Sequence, residues 1–201
     1  HVLGISRNGE VSWNANSEYI VPSDIENLEN KSINAIVWAQ GMNLNDNILT
    51  YNSKLGFEMY QANIEYIIQT LSILLSNDKI SDSAKLCIIS SIWQDISRNN
   101  KFSYSVTKSA LKGLVNSLSN DLGHKGILVN AVLPGALDTK MTRENLTQEA
   151  IEKFEASTQF NRLATMDDVV NTVEFLCSDK NTGITGNFIK VDLGFSHVRN
   201  Y

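Results

Sequence analysis

Proline and cysteine are scarce in this chain, with two of each in 201 residues. So few prolines, and no Gly/Ser-rich stretch, leave no linker to divide it; the length suits one core, and residues 1–201 are read as a single domain. Two cysteines exclude a disulfide framework. Cys87 and Cys177 lie in or beside apolar runs (residues 86–89 and 175–177), where a buried, reduced thiol is expected. No apolar run reaches the roughly eighteen residues of a membrane span, and the first residues lack the basic-then-apolar layout of a secretory signal, so a cytoplasmic protein without a membrane partner is expected. Charged residues make up only 19% and the formal net charge is -5, with lysines and arginines scattered. A phosphate-backbone binder needs the opposite pattern, and nucleic acid is not an expected partner.

What is present alternates between strand and helix. Residues 2–6 and 18–21 have the look of short buried strands, and Ile33 to Ala39 is a third, ended by Gly41. From about Gly56 to Ser76 apolar residues (Phe57, Met59, Tyr60, Ile64, Ile67, Ile68, Leu71, Leu74) make a broad face repeating near the helical period. Leu86 to Ile89 is an apolar run too short for a helix; Ser103 to Leu122 is helical again, with Gly123 and Gly126 as stop signals, and Ile127 to Leu133 is the next strand. Thr165 and Asp168 form a capping-box pattern before residues 169–176, and residues 187–192 make a last strand. This order predicts an α/β domain of three layers with a mostly parallel sheet, its ligand site at the carboxyl ends of the strands.

The chemistry concentrates on one helix. Tyr104 and Lys108 stand four residues apart, so their side chains share a face and can act on one ligand. A Tyr-x-x-x-Lys pair alone arises by chance in roughly one such sequence in three. The surroundings make it specific: Ser91 ends the apolar strand before Tyr104, and Pro134-Gly135 ends the strand after it. A tyrosine hydroxyl titrates near pH 10, so it serves as acid or base at neutral pH only where a nearby cation stabilises its phenolate, and Lys108 would supply that cation.

The set Ser91, Tyr104-Ser-Val-Thr-Lys108-Ser-Ala-Leu, Val129-Asn130-Ala-Val-Leu-Pro134-Gly135 and Thr139 resembles the signature of the short-chain dehydrogenase/reductase family. Later segments match in order: Arg162-Leu163, Asp168-Val169, residues 174–179, Ile184-Thr185-Gly186 and Val191-Asp192 followed by Gly194. The resemblance implies a Rossmann-like, doubly wound parallel sheet and an NAD(P)(H)-dependent exchange between a carbonyl and an alcohol on a small-molecule substrate. It also assigns roles. Tyr104 would be the general acid/base, Lys108 its cation and a holder of the nicotinamide ribose, Ser91 the binder of the substrate oxygen, and Asn63 the helix asparagine of a proton relay. Asp24 falls at the adenine-binding position, Gly41 at the glycine that follows the third strand, and Pro134, Gly135, Leu137 and Thr139 in the segment that meets the nicotinamide. Ser6-Arg7, at the end of a strand, suits the 2′-phosphate of NADP, with NAD as the other cofactor. The helices at about 56–76 and 103–122 would pair across a two-fold axis, with Ala110, Leu111, Leu114, Val115 and Leu118 supplying surplus apolar surface, in a homodimer or homotetramer.

Two features depart from the family. No Gly-x-x-x-Gly-x-Gly turn occurs, and residues 2–6 resemble the family's second strand, so a first strand-helix unit of about thirty residues is missing ahead of them. Its absence predicts either an incomplete chain or rearranged strands, because a central gap leaves backbone groups unpaired. The other is Trp38-Ala39-Gln40-Gly41, where the family has Asn-Asn-Ala-Gly and only the glycine is kept. The competing reading is a non-catalytic binding or scaffold protein that has lost its dinucleotide.

Overall fold

The protein is described by a computed structural model that defines the backbone of residues 2–5 and 17–20, and whole residues for 25, 27–28, 30–139, 142–143 and 146–198. Four β-rich segments, β3 (Ile33–Trp38), β4 (Ile80–Ile89), β5 (Leu128–Pro134) and β6 (Phe188–Val191), form an all-parallel sheet in the order β3-β4-β5-β6. β1 (Val2–Ile5) and β2 (Ser17–Ile20) pair parallel with each other in a separate two-stranded sheet. Among the described residues β3 is laddered only to β4.

Side-chain alternation along the central strands separates the two faces. Leu86, Ile88, Val129, Ala131 and Leu133 enter one apolar cluster with Ile67, Leu71, Leu111 and Val115, from the helices α2 (Tyr66–Ser76) and α3 (Phe102–Leu122). Cys87 and Val132 point the other way, to Val169 and Leu176 of α5 (Met166–Cys177), which follows α4 (Gln148–Ala156). Helices thus cover both faces, and the domain is a Rossmann-like α/β/α sandwich. Cys87 and Cys177 are free thiols whose mutual hydrogen bond, with burial, holds the Cys87 thiol far above its usual range.

Two local departures from regularity matter. β4 extends well before the apolar run at 86–89, because its first half (Ser81, Asp82, Ser83, Lys85) is polar and hides the strand from a hydrophobic pattern. The register against β3 shifts between Ile33↔Ile80 and Ala35↔Lys85, and Ser83 there takes a left-handed φ of 64°. The helical stretch before β4 begins at α1 (Ser53–Tyr60), where the Asn52 side chain caps Leu55, and continues through a π-helical turn (Gln61–Glu65) into α2. That turn buries three consecutive residues, Ala62, Asn63 and Ile64.

Candidate active site

The carboxyl ends of β3, β4 and β5 lie side by side, and each delivers part of the site. β4 runs into Ser90 and Ser91, tied to β5 by the Ser90 amide donating to the Val132 carbonyl (2.8 Å). The two serines then divide the work. Ser90 donates to Gln94 Oε1 (2.9 Å), whereas Ser91 starts a short 3-10 turn (Ile92–Gln94), its hydroxyl accepting from the Trp93 amide (3.3 Å) and lying near enough to the Tyr104 phenol to favour its ionised form. The Ser90 hydroxyl is thus engaged away from Tyr104.

Tyr104 and Lys108 leave the first turns of α3, with the Lys108 nitrogen 5.7 Å from the Tyr104 ring centroid. Lys108 is buried, donates to the Ile89 carbonyl at the end of β4 (3.0 Å), and has its amine brought down by burial to about 8. At pH 7 it is still mostly charged. Burial holds the Tyr104 phenol above its ordinary value near 10, against the pull of the Ser91 hydroxyl, so in the free protein this residue is a proton donor.

Asn63 is 1% exposed and joins two elements through both ends of its amide. Its oxygen accepts from the Met42 amide (2.7 Å), and its nitrogen donates to the Met42 carbonyl (3.0 Å) and to Thr107 Oγ1 on α3 (3.1 Å). The loop after β3 is thereby pinned to the face that carries Tyr104 and Lys108. Gly41 sits in that loop, where a Cβ would come within 3.1 Å of Asn63 Oδ1, crowding it, and would touch the Lys108 nitrogen at 3.7 Å. Trp38, the family departure, turns inward and donates its indole N–H to Thr70 Oγ1 (3.0 Å).

Sequence reasoning missed Lys101 and Asp46. Asp46, buried, accepts from the Ser103 amide (3.0 Å) and the Ser103 hydroxyl (2.5 Å), while its carbonyl accepts from the Phe102 amide (3.1 Å). It caps α3 from another part of the chain, where the local N-cap, Lys101, offers no acceptor. Lys101 lies 5.4 Å from the Tyr104 ring centroid and donates to Asn43 Oδ1 (2.7 Å) and Asn45 Oδ1 (2.8 Å). No periodicity or motif marks either residue; only the long-range loop-to-helix packing does.

The segment after β5 is placed beside this wall. Gly135 packs on β6's exit, where an added Cβ would lie 2.9 Å from the Asp192 Cβ and 3.1 Å from its Cα. Leu137 bridges to Ala164, and Thr139 Oγ1 accepts from the Thr142 amide (3.2 Å). Asn130, on the opposite face of β5, holds residues 184–187 through the Ile184 carbonyl and the Asn187 amide. Arg7 and Asp24 lie outside the described residues. A dinucleotide's nicotinamide end fits what is present: a buried ammonium, the open edge at Gly41, and next to it the buried Gln40 Nε2 without a hydrogen-bond partner. For the pyrophosphate, the 201 residues contain no Gly-rich turn. Among the described residues no cluster of metal-ligating side chains occurs, and no helix is long and apolar enough to cross a membrane.

A family model described as enoyl-(acyl carrier protein) reductase matches residues 29–196. The chain is 34% identical, over 141 residues, to an L-rhamnose 1-dehydrogenase (NADP(+)) of Thermoplasma acidophilum, a match covering 68% of this chain and 55% of that protein. It is 28% identical over 166 residues to an enoyl-(acyl-carrier-protein) reductase (NADH) of Haemophilus influenzae, covering 82% and 63%. The crystal structure of a short chain dehydrogenase family protein from Francisella tularensis has a TM-score of 0.87 at 25% identity, covering 98% of this chain and 88% of that one. The chain thus spans little more than half the length of the curated relatives it matches.

Proposed function

The chain belongs to the short-chain dehydrogenase/reductase family, and on that premise we propose that it carries the catalytic side of a cytoplasmic oxidoreductase that interconverts a carbonyl and an alcohol on a small molecule. The observation that carries this reading is that Tyr104 and Lys108 of α3 lie beside Ser91, after β4, while Asn63 of the π-helical turn is tied to the same helix through Thr107. When bound, NADP(H) or NAD(H) supplies or accepts the hydride. The rest is proton handling by the protein. Ser91 Oγ would hold the substrate oxygen beside the Tyr104 hydroxyl; in the reductive direction that hydroxyl gives up its proton, and the Lys108 ammonium stabilises the charge left behind. Asn63 keeps the loop and α3 in register and offers a polar route from Lys108 outward. NADP is the favoured cofactor because Arg7 follows β1 and the Thermoplasma relative is named for NADP(+), although the Haemophilus relative is named for NADH.

The reading extends to assembly as a single-domain homodimer or homotetramer. Leu111 and Val115, counted above as surplus apolar surface, are core residues at 0% exposure. The surface that remains comes from Phe57, Tyr60, Ile68, Val106, Ala110 and the half-buried Leu114 and Leu118, a broad apolar area on the helices expected to meet across the two-fold. The test of catalysis is direct: Tyr104→Phe in the intact enzyme should keep the far-UV dichroism and lower turnover by at least about a hundredfold, as loss of a general acid does. A variant that retains most of its activity would sink the assignment.

A further inference from the structure

Cys87 and Cys177 are two nucleophiles that the chemistry at Tyr104 does not use. They are far apart in the sequence, and the fold brings them together. Cys87 lies on β4, on the face that looks at α5, and is fully buried at 0% exposure. Cys177 is the last residue of α5 and packs against the same small cluster, formed by Cys87, Val132, Val169 and Leu176. The two sulfurs are close enough for each to shift the ionisation of the other, and both are free thiols. Their surroundings differ in the way that matters for reactivity. Cys87 is closed off from solvent, whereas Cys177 is partly exposed at a helix end, where Ser178 already has extended backbone. Lys85, two residues before Cys87 and so on the same face of β4, brings a positive charge to Cys177. A helix C-terminus disfavours a thiolate, and that charge offsets it. The interaction with Cys87 first, and the Lys85 ammonium after it, hold the Cys177 thiol below its ordinary value against the effect of burial. The interaction with Cys177, together with burial, does the opposite to Cys87.

One sulfur is thus reachable and disposed to attack, and the other is protonated, shielded and placed against it. Packing alone asks for neither the partial exposure nor the nearby cation; an oxidisable thiol with a second thiol to resolve it needs both. We propose that Cys177 is a site of reversible oxidation by a peroxide and that Cys87 resolves it, in a disulfide that staples the end of α5 to β4. In the first step the Cys177 thiolate attacks one peroxide oxygen, the O–O bond breaks, and the leaving hydroxide takes up a proton as water, leaving a sulfenic acid. In the second, the Cys87 sulfur attacks the Cys177 sulfur, the S–S bond forms, the S–O bond breaks, and the hydroxyl departs with the Cys87 proton as a second water. Two thiols are oxidised by two electrons and the peroxide is reduced by the same two. The bond requires the two α-carbons to stand within about 7 Å. β4 is fixed between β3 and β5, and the last turn of α5, followed by an extended residue, is the part able to close on it. Nothing in these steps uses Tyr104, Lys108 or a nicotinamide, so the proposal stands apart from the oxidoreductase reading.

The experiment reads covalent state, not turnover. The full-length protein, reduced and then freed of reductant, is exposed to hydrogen peroxide at neutral pH and followed by intact mass and by peptide mapping without reduction. Wild type should become lighter by two hydrogens, yield a cross-linked peptide that contains Cys87 and Cys177, and return to its starting mass with dithiothreitol. Cys87→Ser should stop at a Cys177 sulfenic acid that dimedone captures, because the resolving thiol is gone. Cys177→Ser should leave the shielded Cys87 unreacted. The linked form should also melt at a higher temperature than the reduced one, since the bond joins distant parts of the chain and restricts the unfolded state. Four results overturn the proposal: no Cys87–Cys177 link in wild type, Cys177 carried on to sulfinic acid without a link, a link between the Cys177 residues of two copies, or a linked form that melts below the reduced one. Cys87 reacting as fast in Cys177→Ser as in wild type would overturn the order of attack in the same way. Where Cys87→Ser does not fold, the wild-type peptide map and the Cys177→Ser variant still decide the matter.

Discussion

Replacing Asn63 with alanine removes three hydrogen bonds, to the Met42 amide, the Met42 carbonyl and Thr107 Oγ1, from a residue that is 1% exposed. Met42 is half-buried, so water can rescue its two backbone groups only in part, and each costs on the order of 1 kcal/mol. Thr107 keeps its bond to the Tyr104 carbonyl (3.0 Å) and suffers less. The void left by the amide adds about 1 kcal/mol. The sum is about 3 kcal/mol, which for a domain of this size lowers the melting temperature by roughly 6–12 °C. Thermal unfolding followed by circular dichroism measures it directly, with Asn34→Ala as the control, since Asn34 makes only an exposed 3.4 Å contact to the Ser32 carbonyl and should lose less than about 0.5 kcal/mol. A melting temperature of Asn63→Ala within about 2 °C of wild type would show that other contacts hold the loop to α3, and that Asn63 is not the joint described.

Gly135→Ala should cost about 1–3 kcal/mol in urea unfolding, because the new Cβ meets the Asp192 backbone, which cannot swing aside as a flexible side chain would; a neutral result would mean β6 shifts freely. The Asp168 carboxyl, held down to about 2 by the Arg162 guanidinium (2.8 Å) and by the Thr165 amide, contributes roughly 1 kcal/mol after solvent screening. Because its folded value is below the ordinary 3.8, that contribution is complete above about pH 4 and is lost as pH falls through about 2. The stability gap between wild type and Asp168→Ala should accordingly narrow over that window, and a gap constant with pH would refute the pairing. Light scattering should find a dimer or tetramer at roughly tens of micromolar, whereas a monomer there would count against the two-helix interface.

The parts of the fold that were legible in the sequence are those governed by local rules. The β3 and β5 segments, the helix ending at Leu122 and the capping box of α5 follow from apolar spacing and terminal residues, and the structure has them within a residue or two. Tyr104 and Lys108 could be singled out as candidates because both sit on one helix face; Ser91 could be singled out only through its spacing, and in the structure its neighbour Ser90 bonds Gln94. Asn63 was found by its place in a helix, but the π-helical turn that buries it has no sequence mark. Lys101 and Asp46 were invisible for a different reason. Each acts across more than fifty residues of chain, and neither a lysine before a helix nor an aspartate in an Asn-rich loop signals a distant partner. The polar first half of β4 was lost because edge and bulge positions escape alternation.

The cap that Asp46 places on α3 also bears on the order in which the molecule folds. A helix of 21 residues can begin to form from its own sequence, but its first turn has no acceptor of its own, and the carboxylate that satisfies Ser103 comes from 57 residues earlier. Closing a loop of that length precedes any reward from the contact, so the turn bearing Tyr104 is expected to set late, after β3 and β4 have paired, while the middle of α3 is already helical. Hydrogen exchange should then show the amides of 103–105 opening together with those of 42–46, and independently of the amides around Leu111 and Val115. The reactive end of the helix would share the fate of a loop it meets only through tertiary structure, and the local stability of that loop would set how long the site stays assembled.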